Sequence, residues 1–125
     1  MEENLKPVLE KIVRNQKWIT DVYADGNEFY FRFHGHAFSI IKRSESDSVW
    51  GEYSFFVYPD FSGSFKQLAL DFQFTPDTLK YVAYHESEIA DHEISALMAK
   101  LYRSVRERAY GIDTIFDLII QSPDL

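Results

Sequence analysis

The stretch from Trp18 to Ile41 constrains this chain most, because its apolar residues alternate and residues suited to tight turns interrupt it twice. It reads as three antiparallel strands. Asp25-Gly26-Asn27 tolerates the positive φ that a two-residue loop between right-twisted strands requires. With Asp25-Gly26 as the loop, Val22 lies opposite Phe29. With Gly26-Asn27 as the loop, each partner moves by two positions, and a shift of two leaves every side chain on its own face.

Phe29, Phe31 and Phe33 therefore share a face with Trp18, Thr20, Val22 and Ala24, and this face is the expected core. Tyr30, Arg32 and His34 share the other with Ile19, Asp21 and Tyr23. A second turn is read at Gly35-His36, with glycine first as a type II′ turn prefers, which sets Phe38 opposite Phe33 and Ile40 opposite Phe31. Both turns then place apolar residues beside apolar residues, so turn chemistry and hydrophobic pattern agree.

Before these strands, residues 2 to 17 carry Leu5, Val8, Leu9, Ile12 and Val13 at helical spacing, with Pro7 near the start. After them, residues 42–48 hold no apolar side chain and read as a loop. Val49 to Tyr58 is the expected fourth strand, ended by Pro59. Phe61 falls in the turn-rich segment 59–64. Leu68, Leu70, Phe72 and Phe74 alternate with Gln67, Ala69, Asp71 and Gln73, which predicts a fifth strand with one wet face.

Thr75-Pro76-Asp77 reads as a turn or a helix start. The segment from Lys80 to His85 favours a sixth strand through Tyr81, Val82 and Tyr84. The main helix begins at Ser87 or Asp91 and runs to about Tyr110 with Ala90, Ile94, Leu97, Met98, Leu101 and Val105 on one stripe. Its acids lie early and its bases late, which offsets the helix dipole. Gly111 stops it, and Asp113 caps a last short helix rich in Ile, Leu and Phe. The pattern predicts a single α+β domain over residues 1–125. Its sheet is one antiparallel meander of five or six strands, with the N-terminal helix and two C-terminal helices packed on one face.

A net charge of −7 argues against binding to nucleic acid, which needs clustered Lys and Arg, and makes a basic partner the easier one to accommodate. No apolar run is long enough to span a membrane, and the acidic N-terminus has no signal-peptide character. Absence of cysteine removes disulfides and thiolate metal sites and fits a reducing, cytoplasmic setting. Aromatic residues make up 17% of the chain, and 16 of the 21 lie between Trp18 and Phe74. So many rings need burial on both sheet faces or remain as a contact surface.

Catalytic constellations are missing. No serine sits in a nucleophile elbow, and no glycine-rich loop fits a phosphate. Glu86 with Glu88, or Asp91 with Glu93, reads as a solvated helix start rather than an acid–base pair. His34 and His36 are the one spacing that suggests a metal, but a turn between them separates their side chains, and His85 and His92 are remote in sequence. No cofactor is expected.

The expected function is a non-enzymatic protein-binding module, a small acidic adaptor or a homodimer. In size and charge alone it is similar to toxin-neutralising immunity proteins and secretion chaperones. Tyr23, Tyr30, Arg32, His34 and Phe61 are the candidate contact residues. The alternative is a small-molecule pocket or modest enzyme lined by the aromatic face, with His34, Arg32 and Tyr53 as its polar groups. A binding module predicts an apolar patch of roughly 400 Å² or more outside any pocket, whereas an enzyme predicts a closed cavity with convergent polar groups.

Overall fold

The computed structural model describes residues 4–43 and 52–124, and its centre is a five-stranded antiparallel sheet in sequential order. The strands are β1 (Ile19–Asp25), β2 (Glu28–Phe33), β3 (His36–Lys42), β4 (Tyr53–Tyr58) and β5 (Val82–His85). Four helices accompany them: α1 (Leu5–Arg14), α2 (Phe65–Phe74), α3 (His92–Ala109) and α4 (Ile112–Gln121). The expected loop over 44–48 and the opening residues of the fourth strand, 49–51, lie outside the described residues, as do residues 2 and 3 of the expected first helix.

Phe29, Phe31 and Phe33 point inward together, joined by Phe38, Ile40, Tyr53 and Phe55. The rings of Phe31, Phe38 and Phe55 stack in sequence, each pair 5.5 Å apart. Two helices cover this face. Leu5, Leu9 and Ile12 of α1, at i, i+4 and i+7, are buried, as are Ile94, Met98, Leu101, Tyr102 and Val105 of α3. Asp91 caps α3 by accepting from the amides of Glu93 and Ile94, and Gly111, at φ +68, ends it as a left-handed residue that only glycine adopts without strain.

The first hairpin uses Gly26-Asn27 as its loop, so Asp25 pairs with Glu28 and Ala24 with Phe29. In the second, the expected loop at Gly35-His36 is corrected to His34-Gly35. Both residues there have positive φ, as a type I′ turn requires, and Phe31 consequently pairs with Phe38 and Phe29 with Ile40. Faces survive this shift of two, and His36 becomes the first residue of β3 rather than part of the turn.

Within β1 the expected alternation fails. A bulge between Thr20 and Tyr23, with Asp21 at φ +55, adds one residue and reverses the parity of everything before it. Ile19 therefore enters the core opposite Phe33, whereas Trp18 and Thr20 are exposed. Asp21 suits this position because aspartate tolerates left-handed φ, and its carboxylate accepts from Arg32 Nε at 3.0 Å.

The segment expected as a fifth strand over 68–74 is a helix. Leu68 to Phe74 alternates, but Phe65, Leu68, Ala69 and Phe72 also recur at i, i+3, i+4 and i+7, and Ser64 caps the first turn by accepting from the Gln67 amide. α2 lies across the second sheet face, where Phe65, Leu68 and Ala69 pack on Tyr30, Ala37, Phe56 and Tyr58. The fifth strand is instead β5, within the segment read as a strand at 80–85. A 3-10 turn over Pro76–Thr78 precedes it, with Pro76 at its first position.

α4 begins directly from Gly111 with no side-chain cap. Asp113, expected as that cap, lies inside the first turn. The helix packs against α3, and none of its residues is buried.

Candidate functional site

Four of the five candidate contact residues belong to the second sheet face or its rim, and α2 decides what becomes of them. Tyr30 is buried, with its ring stacked 5.6 Å from Phe65 and its hydroxyl donating to Glu28 Oε1. Each nitrogen of the Arg32 guanidinium is engaged: Nε donates to Asp21, and its terminal nitrogens donate to the carbonyls of Phe61 and Gly63 at 3.0 and 2.6 Å. Its guanidinium also lies over the rings of Phe61 and Phe65. Phe61 is half-buried beneath its own loop, and half-buried Tyr23 leans on Tyr30. His34 stands exposed at the β2–β3 turn.

The polar trio proposed for a pocket does not converge. Tyr53 sits on the α1/α3 face against Tyr102, on the opposite side of the sheet from Arg32. The second face does hold a buried polar cluster. Ser39 donates to Glu28 Oε2 at 2.7 Å and shares a 2.8 Å hydrogen bond with the Tyr58 hydroxyl. Burial, the dominant cause, holds the Glu28 carboxyl above its ordinary value, against the hydrogen bonds from Ser39 and Tyr30. Burial likewise raises the Tyr30 and Tyr58 phenols, so both stay neutral.

A raised carboxyl means that the native state binds the Glu28 proton more tightly than the unfolded chain does. Its stabilising contribution is complete below the ordinary glutamate range and is lost as pH rises through the native value. The melting temperature of Glu28→Gln, measured from pH 4 to 7, should therefore rise relative to that of the native chain as pH increases. A Glu28→Gln melting temperature that falls relative to the native one as pH increases would contradict the assignment.

Ser54 and His85 pair across β4 and β5, with Oγ 2.7 Å from Nδ1, and Arg43 Nε donates to the same Oγ. The imidazole is held below its ordinary value, mainly by burial. Ser54 is itself wholly buried, so its hydroxyl fastens two strands and cannot meet a substrate. Three of the acidic residues near the start of α3 are similarly occupied. Glu86 accepts from the amides of Glu52 and Tyr53, Asp91 caps the helix, and Glu93 pairs with Lys6. Among the described residues no group of three or more His, Asp or Glu is placed to hold a metal ion. A cleft of about 330 Å³ opens between the β2–β3 turn and the β4–α2 loop, lined by Gly35, His36, Ala37, Tyr58, Asp60, Phe61 and Ser62.

The least ordinary surface is α4. Ile115, Phe116, Leu118, Ile119 and Ile120 are between 47% and 78% exposed, whereas α1 and α3 bury most of their apolar stripe and α2 buries Phe65, Leu68 and Ala69 while leaving Leu70 and Phe74 open. The sequence marks these side chains as apolar, but only the packing shows that α3 covers them in part and leaves most of their surface open. Tyr110, also exposed, stands where α3 ends. No helix among the described residues is long and apolar enough to cross a membrane. No family model, curated protein or solved structure matches the chain.

Proposed function

We propose that this chain is a non-enzymatic protein-binding module and that α4 is the surface it binds with. The observation that carries this reading is the row of five large apolar side chains left open on α4, more than any other described helix leaves exposed. The occupied state of the Ser54–His85 pair and of Glu86, Asp91 and Glu93 supports the non-enzymatic half. The cleft beside Tyr58 favours a small-molecule module less well, because most of its lining residues are exposed. The net charge of −7 suits a partner with basic character, and the lack of cysteine suits the cytoplasm.

The test compares an immobilised native chain with an Ile115→Ser/Ile119→Ser variant in cell extract at moderate salt. Chains retained by the native bait, whether foreign or further copies of itself, should be absent from the variant, with far-UV circular dichroism unchanged. Equal retention by both baits, or none by the native one, would remove α4 as the binding surface.

A further inference from the structure

Of the two strands that end the sheet, β1 is interrupted by its bulge, whereas β5 runs beside β4 in unbroken register from Val82 to His85. Val82-Ala83-Tyr84-His85 holds no proline, lysine or acid to discourage pairing, and its extensive contacts are with β4. The strand is short, which limits what can pair with it to a few residues. In an antiparallel ladder every second residue turns its N–H and C=O away from the partner strand. Among the described residues, 82–84 make no backbone hydrogen bond beyond the β4 ladder, so their outward groups have no protein partner. We infer that this edge receives an extended basic peptide from a partner protein, which joins the sheet beside β5 as a further strand. This site is separate from α4 and does not depend on it.

The side chains along the edge define what the added strand carries. Towards α2, Ala83 is small and half-buried, and two positions away the Tyr81 ring packs on Phe56 and Phe72 yet stays exposed. A residue set beside Ala83 therefore has room for a large apolar side chain against that ring. Towards α3, exposed Val82 and half-buried Tyr84 form an apolar border that suits branched residues on either side of it.

Charge selects a basic strand. Within residues 77–88, Asp77, Glu86 and Glu88 stand against Lys80 alone, and Asp77, Glu88 and Lys80 are exposed. Arg43 and Lys42, at the far end of the ladder, are held on Ser54 and Glu52. Lysine or arginine at the ends of the added strand meets this acidic excess. A second copy of the chain would set the excess against itself.

The test titrates the full chain with the acetylated, amidated peptide Arg-Lys-Val-Phe-Val-Lys-Arg, read by calorimetry and by amide hydrogen exchange. Binding should slow exchange of the outward amides within 82–84. Two further peptides are N-methylated, one at the Phe amide and one at both Val amides. Only one set of amides can meet β5, so one modification should weaken binding by about 10-fold or more and the other by less than about 3-fold. A peptide with Glu at every basic position should bind at least about 10-fold more weakly, and so should the original peptide to Asp77→Lys/Glu88→Lys. Ile115→Ser/Ile119→Ser should bind it as the native chain does, which separates this edge from α4. No binding at about 1 mM peptide, equal loss from both N-methylated peptides, unchanged exchange at 82–84, or binding lost in the α4 variant overturns the proposal. Equal affinity for the acidic peptide overturns the basic character of the partner.

Discussion

Ile19→Asp is expected to unfold the domain or bring it close to unfolding, whereas Trp18→Asp one residue earlier should shift stability by less than about 1 kcal/mol. Ile19 is 2% exposed in the core beside Phe33, and Trp18 is 56% exposed. The first change deletes a buried aliphatic side chain and leaves an unpaired carboxylate in its place, a combined loss of about 4 kcal/mol or more. That is a large fraction of the roughly 5–15 kcal/mol that holds a small domain together. Urea denaturation of the two variants gives the answer. Equal midpoints, or a greater loss at Trp18, would mean that the bulge at Asp21 is absent and that β1 keeps strict alternation.

Arg32→Ala should cost about 2–3 kcal/mol, and Arg32→Lys should restore less than half of it. The guanidinium joins three parts of the molecule: the bulge through Asp21, the β4–α2 loop through the carbonyls of Phe61 and Gly63, and α2 through the ring of Phe65 at 4.8 Å. Lysine has one nitrogen centre and no planar face, so it cannot reach all of these at once. The check is chemical denaturation with circular dichroism. If the alanine variant were as stable as the native chain, Arg32 would regain its candidacy as a contact residue.

What the sequence disclosed follows from how local each signal is. Alternation from Phe29 to Phe33 and from Phe38 to Ile40 depends on period two alone, so the inward rings and the meander were legible. Parity in β1 was not, because one extra residue reverses every position before it and Asp21 has nothing in its neighbours to announce it. Residues 68–74 satisfy both periods, and the deciding signal was upstream, in the Ser64-x-x-Gln67 start that a helix cap uses. With α2 placed on the second face, Tyr30 and Arg32 become packing and fastening groups rather than a ring-bearing exterior. α4 was legible as an apolar helix, but exposure is a property of the whole packing, and nothing within residues 112–121 states it.

The bulge has one more effect, because β1 is an outer strand of the sheet. An outer strand offers a row of spare amides and carbonyls to which a neighbouring chain can add a strand without limit. At Asp21 that row is broken and twisted, and a carboxylate anchored by Arg32 marks the break. This border of the sheet is thereby shielded from fibrillar growth.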